Sequence, residues 1–279
     1  MTLAEARRHL SSRLEEAGVE SPEAEALLLL EAATGLPRAE LLLSWQRPIA
    51  PGCFETLRGW LRRRERREPL QHILGTAPFY GLELEVTPAV LIPRPETERL
   101  VELCLQEIRG RKNPRVMDVG TGSGAVALAV KCERPDAVVM ATDLSLPALA
   151  VARRNAARYR LGVRFVRADL LEREEVRSFA RHLDVMVANP PYLPESDRSR
   201  VAAEVRYDPE GALYSGPRGL DHFRRLQEQA RALLPSRATL LLELDPRNVI
   251  IARRESAAWV ESKVLDDLTG RPRFLKLRA

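Results

Sequence analysis

The chain has 279 residues, 45% of them apolar, enough for a sizeable core in one large or two modest domains. Its formal charge of +5 would suit a nucleic-acid binder, yet residues 1 to 80 carry 11 arginines against 11 acids, so the spare basic charge lies further along. No apolar run approaches the roughly 18 residues of a membrane span, no signal or Arg- and Ser-rich transit segment is read before the first helix, and the scattered cysteines and histidines show no metal spacing.

The first elements read as helices. Thr2-x-x-Glu5 is a capping box, and Gly18 can end the helix it opens. Ser21-Pro22 starts a second helix that stops at Gly35, and others run from Pro37 and from Pro51 to about Arg67. Residues 1–72 are therefore expected to form a small helical domain. The arginine run Arg62 to Glu68 is interrupted by acids and follows Leu57, Trp60 and Leu61 at helical spacing, so it reads as a solvated helix face rather than a phosphate patch. Phe79 to Val86 alternates apolar and polar residues like one strand, with Val90-Leu91-Ile92 as its partner; residues 73–95 are thus expected to be a β-hairpin linker, a hinge or lid. From residue 96 to 279, strands at 115–119, 137–142, 163–167, 183–188, 237–244 and near 273–277 alternate with helices. That alternation predicts an α/β domain with a parallel, doubly wound, Rossmann-like sheet, its ligand at the carboxyl ends of the strands.

Four of those ends carry chemistry. Val116 to Val119 runs into Gly120-Thr121-Gly122-Ser123-Gly124, where glycines let the backbone turn tightly and approach a ligand. Asp143 closes the next strand, 23 residues past Gly120, where an acid can bond ribose hydroxyls; it is also placed to cap the helix starting at Leu146. Asp169 follows the third strand, beside Leu170, where adenine could be held, or is an ordinary strand-end acid. Asn189-Pro190-Pro191-Tyr192 ends the apolar run Val185 to Ala188. The amide nitrogen of a flat NH2 group attacks poorly unless its N–H bonds are held, and here the Asn189 side-chain oxygen and the Pro190 carbonyl can accept them from a stiff turn, with the Tyr192 ring offered to the flat substrate. The four connections together read as an S-adenosylmethionine site beside a nitrogen acceptor.

With these motifs the chain resembles the class I methyltransferases that modify the glutamine N5 of the Gly-Gly-Gln loop of peptide-chain release factors. Glu68 to Gly75, Val90-Leu91-Ile92-Pro93-Arg94-Pro95-Glu96-Thr97-Glu98, Asp118 to Gly124, Asp143, Asn155-Ala156, Asn189 to Tyr192 and Gly270 to Phe274 carry the resemblance. It implies that Gly120 to Gly124, Asp143, Leu170 and Asn189 contact the cofactor, and that Asn189 to Tyr192 hold the glutamine amide, with Asn189 and Tyr192 catalytic. Two stretches depart from the family pattern. Ala212 to Leu220 has Ser215 and Arg218 where the family has glycine and aspartate, and Glu243 to Asn248 has Asp245 and Asn248 where it has glycine and glutamine; the departures bear on substrate docking. A cytoplasmic monomer acting on release factors is expected, without metal, membrane or direct nucleic-acid partner, an organellar enzyme being the alternative location. The competing functions are an adenine-N6 or guanine-N2 methyltransferase, whose acceptors are also flat amines, and a non-catalytic cofactor-binding module.

Overall fold

The capping box at Thr2 forms as its spacing requires. In the computed structural model, which describes residues 1–279, Thr2 Oγ1 accepts from the Glu5 N–H and the Glu5 carboxylate accepts from the Thr2 N–H. Helix α1, Leu3–Glu16, then buries Leu3, Ala6, Leu10 and Leu14, one stripe at three- and four-residue intervals. Helix α2, Pro22–Thr34, ends on Gly35 in the left-handed conformation. Helices α3, Arg38–Leu43, and α4, Pro51–Glu65, follow, and a fifth, α5, Leu70–Leu74, was not legible from the sequence because five residues show no period. Leu70 and Ile73 of α5 nonetheless join the core formed by α1, α2 and α4.

This helical unit comprises Met1–Gly75 together with Ala202–Tyr207. The arginine run explains the second piece and corrects the expectation of a solvated face. Arg64 is only 4% exposed: its guanidinium donates to both Glu25 carboxylate oxygens at 2.7 and 3.1 Å and to Glu204 at 3.0 Å. Arg67 donates to the same Glu204 oxygen at 2.7 Å, and the Tyr207 hydroxyl donates to the Arg66 carbonyl. Arginine's planar fork is what lets one cation satisfy two carboxylates at once. Arg62 and Arg66 remain exposed.

The second unit, Thr76–Val201 with Asp208–Ala279, opens with a hairpin of β1, Thr76–Phe79, and β2, Leu82–Glu85. The expected single strand from Phe79 to Val86 is in fact broken by its turn: Tyr80 and Gly81 both take positive φ, 47° and 76°, the two-residue turn that matches strand twist. Alternation continues across the turn, so the pattern alone could not place it. Val90 to Ile92 forms no strand; Val90 and Ile92 pack with Ala77, Val86, Ala148 and Val151.

The main sheet has seven strands: β3, Arg115–Val119; β4, Val138–Asp143; β5, Val163–Arg167; β6, Val185–Ala188; β7, Thr239–Glu243; β8, Glu261–Asp266; β9, Pro272–Arg278. Their order is β5-β4-β3-β6-β7-β9-β8. The first five are parallel, but β9 runs antiparallel between β7 and β8, which corrects the expectation of a wholly parallel sheet with one final strand. The missed β8 is half exposed and polar, Glu-Ser-Lys-Val-Leu-Asp, without the alternation that marks a strand. Helices α6, Glu98–Glu107, α7, Ala125–Glu133, α8, Leu146–Arg158, α9, Glu174–Ala180, α10, Asp221–Leu233, and α11, Val249–Glu255, cover the sheet. Successive residues of β6 alternate between two apolar layers: Val185 and Val187 join Val101, Val126 and Leu128, whereas Met186 and Ala188 join Phe223 and Leu226. Strand order reverses between β3 and β6, so the carboxyl ends of β3, β4 and β6 leave a crevice there. No helix is long and apolar enough to cross a membrane.

Candidate active site

A buried carboxylate sets the loop after β3. Asp118, 2% exposed, accepts from the Thr121 hydroxyl at 2.6 Å and the Ala127 N–H at 3.2 Å through one oxygen. Burial pushes its carboxyl up to about 6 despite those bonds. Gly120, Gly122 and Gly124 all have positive φ, 76°, 56° and 87°, so a side chain at any of them would be strained. The Gly120 and Thr121 N–H groups both donate to the Thr142 carbonyl at 2.9 Å, which binds the loop to β4.

Asp143, at the end of β4, completes the cradle. Its Oδ2 accepts from the Gly122 N–H at 2.9 Å and its Oδ1 from the Ser145 N–H at 2.8 Å. Burial raises this carboxyl above its ordinary value, opposed by those backbone donors. The cap of α8 is Ser145, whose hydroxyl accepts from the Ala148 N–H. On the far side, Asn155 is fully buried and uses its whole amide: Oδ1 accepts from Glu85 N–H, and Nδ2 donates to the carbonyls of Glu85 and Ser123. Thus the Asn155-Ala156 motif fastens hairpin strand β2 to the glycine loop.

These groups wall a cavity of about 380 Å³. Gly120 to Ser123, Asp143, Asp169, Leu170, Asn189, Pro190 and Pro191 all stand in it. Gly124 and Tyr192 do not. Gly124 starts α7, where a Cβ would come within 3.1 Å of Leu128 and 3.3 Å of Ala152. Tyr192 packs against the core beneath β6, and burial raises its phenol. Asp169 is ion-paired with Arg225 at 2.9 Å, and Leu170 beside it holds a positive φ of 51°. Sequence reasoning missed His222 and the Ala89 to Leu91 wall. Burial and the neighbouring Arg225 lower the His222 pKa below its ordinary value, and its Nδ1 lies 2.9 Å from the Ser215 hydroxyl. Asp208 accepts from the Ile92 N–H and the Arg94 guanidinium, anchoring the wall segment.

The Asn189 amide is held on one side only. Nδ2 donates to Thr97 Oγ1 at 3.2 Å, and Thr97 Oγ1 donates to Glu243 Oε2 at 2.7 Å. Asn189 Oδ1 is buried with no hydrogen-bond partner. The turn behind it is closed by Gly219, at φ 72°, where a Cβ would meet the Tyr192 carbonyl at 2.1 Å. The two departures from the family pattern meet here: Asn248 Nδ2 donates to the Arg218 carbonyl at 2.9 Å, and Asp245 accepts from Arg247, which also reaches Asp197. No group of three or more His, Cys, Asp and Glu is arranged to hold a metal.

An open-backed glycine cradle, a carboxylate at the end of the second strand and a cavity of ligand size suit a nucleoside-bearing methyl donor. The fold and this site define a class I S-adenosylmethionine-dependent methyltransferase. Residues 5–75 match the PrmC N-terminal domain family and residues 97–215 the methyltransferase small domain family. A release factor glutamine methyltransferase of Deinococcus radiodurans is 45% identical over all of this chain and 99% of its own, and one of Moorella thermoacetica 39% over the same shares. The chain belongs to the release factor glutamine methyltransferases. Among solved structures, a methyltransferase from Pyrococcus furiosus aligns with 78% of this chain and 97% of its own at TM-score 0.52 and 19% identity. The T. thermophilus 16S rRNA N2 G1207 methyltransferase, solved with AdoMet and guanosine, aligns with 73% of this chain and 49% of its own at TM-score 0.53 and 20% identity. Both of these share the fold.

Proposed function

We propose that the chain transfers a methyl group from S-adenosylmethionine to the side-chain amide nitrogen of the glutamine in the Gly-Gly-Gln loop of peptide-chain release factors. The observation that carries the reading is the unspent acceptor at Asn189: a buried oxygen without a partner costs about 1–3 kcal/mol, a cost that a substrate N–H would offset. Bound there, S-adenosylmethionine would supply an electrophilic methyl on its sulfonium, whose sulfur would keep the C–S electron pair when the amide nitrogen bonds the methyl carbon. Asn189 Oδ1 would take one amide N–H and the Pro190 carbonyl the other, leaving the nitrogen face toward the methyl; once methylated, the cationic nitrogen would release one of those two protons to solvent. Asn189 positions the nucleophile rather than acting as a base, and alignment is worth most where the nucleophile is poor. The Gly120 to Gly124 loop and Asp143 would hold the cofactor, Asp143 bonding its ribose, with Asp169 and Leu170 beside the adenine.

The helical unit, balanced in charge and without chemistry of its own, suits recognition of a protein partner. The bacterial sources of the relatives support a cytoplasmic setting. Asn189→Ala should cut single-turnover transfer to a release factor by roughly 100-fold or more at saturating cofactor, with docking little changed. A release factor carrying Gln→Ala in its loop is the control. Wild-type rate in the variant, label on the control, or label captured by RNA in a mixture of candidates overturns the reading.

A further inference from the structure

Asn189 has two ways to lie, oxygen or NH2 toward Thr97, and only one of them leaves an acceptor for a substrate N–H. The choice is decided one residue further out. Thr97 Oγ1 has a single proton, and it goes to Glu243 Oε2 at 2.7 Å. An ionised carboxylate cannot donate, so Thr97 must donate to it and can then only accept from its other neighbour. The neighbour is Asn189, which therefore turns Nδ2 toward Thr97, at 3.2 Å, and keeps Oδ1 unspent. We infer that Thr97 and Glu243 are positioning residues for methyl transfer: a one-way hydrogen-bond relay, Asn189 to Thr97 to Glu243, that fixes the Asn189 amide with its oxygen available to the substrate amide.

The three residues come from separate parts of the chain: Thr97 from the turn before α6, Asn189 from the end of β6 and Glu243 from the end of β7. Thr97 is 5% and Glu243 1% exposed, so water does not compete for either group. A glutamate this deep has no solvation of its own to justify it; Arg273 on β9 and Arg94 before α6 favour its charge, while Glu96 opposes it. Tyr192, half-buried and with its phenol pKa raised by desolvation, faces it as well. Burial pushes the Glu243 carboxyl up to about 7. Below that pH Glu243 carries a proton and can donate to Thr97, which frees the Thr97 proton for Asn189 and lets the amide reverse. The rate should thus rise with pH through about 7 and level off above it.

The inference rests on the Asn189 reading, and the test separates the two. Single-turnover transfer to a release factor is measured between pH 5.5 and 8.5 for wild type, Thr97→Val, Thr97→Ser, Glu243→Gln and Asn189→Ala, with thermal unfolding and cofactor affinity for each. Thr97→Val keeps the shape without the hydroxyl and should lose roughly 10- to 100-fold in rate with substrate KM little changed, whereas Thr97→Ser restores most of it. Glu243→Gln, able to donate or accept at any pH, should be slow and lack the limb near 7. Three results overturn the relay: wild-type rate in Thr97→Val, equal losses in Thr97→Val and Thr97→Ser, or a wild-type acid limb surviving in Glu243→Gln. If Asn189→Ala itself keeps the wild-type rate, the failure lies with the substrate-amide reading; if only Thr97→Val does, it lies with the relay.

Discussion

Replacing Asp143 by asparagine changes one atom in the cradle, yet the hydrogen-bond geometry makes it a severe change. Both carboxylate oxygens are already engaged by backbone donors, Gly122 N–H at 2.9 Å and Ser145 N–H at 2.8 Å. An amide has one oxygen, so whichever way it lies, an NH2 group faces an N–H. A mostly buried donor left unmatched destabilises the loop by about 1–3 kcal/mol with or without ligand, while the lost charge-assisted bond to a ribose hydroxyl weakens binding by a similar amount. Asp143→Asn should therefore weaken S-adenosylmethionine binding by roughly ten- to a hundredfold, since each 1.4 kcal/mol or so is a factor of ten. The ligand-free protein should also melt lower, by about 2–4 °C per kcal/mol lost. Titration calorimetry and scanning calorimetry read the two effects separately. Unchanged cofactor affinity would refute the ribose assignment, and an unchanged melting temperature would refute the claim that this carboxylate holds the loop.

Three further outcomes follow from particular contacts. Asp118 titrates near 6 in the fold against 3.8 for the free side chain, so the native state binds its proton more tightly; its contribution is greatest below about pH 4 and is lost as pH rises to 6, by up to roughly 3 kcal/mol. Asp118→Asn, whose oxygen can still serve Thr121 and Ala127, should flatten urea-measured stability across that window, and an unaltered slope would assign it elsewhere. Gly219→Ala drives a Cβ into the Tyr192 carbonyl from a left-handed backbone, and should cost about 1–3 kcal/mol and slow methyl transfer more than it weakens cofactor binding. Arg64→Leu strands the partly exposed Glu25 carboxylate and leaves Glu204 to Arg67 alone, so thermal unfolding should report a loss approaching 3 kcal/mol, the low end for a broken buried pair.

What the sequence disclosed was whatever short-range physics decides. The Thr2 capping box, the glycine loop, the acid ending β4 and the Asn189 turn are each written in a few adjacent residues, and each lies where its spacing put it. The hairpin turn at Tyr80-Gly81 was hidden because a period-two pattern reads the same through a tight two-residue reversal. Pairings between distant residues had no local signature. Glu243 and Thr97 each stood as one letter of a separate motif, and Arg64 read like its solvated neighbours; only the folded chain brings Thr97 against both Asn189 and Glu243, or Arg64 between Glu25 and Glu204. The departures at Arg218 and Asn248, separate in sequence, likewise turn out to be two ends of one hydrogen bond.

The chain changes units three times, after Gly75, after Val201 and after Tyr207. The six residues between the last two crossings lie within the long connection that starts at the Asn189 turn, yet they belong with the helices through Glu204 and Tyr207. The N-terminal helices are therefore not a detachable cassette. A chimera joined at residue 75 would import foreign helices while keeping the host's hexapeptide, leaving an arginine pocket facing the wrong segment. A stable exchange of the helical unit between relatives should succeed only when 202–207 moves with the helices, which makes the two stretches one heritable module despite the 126 positions that separate them.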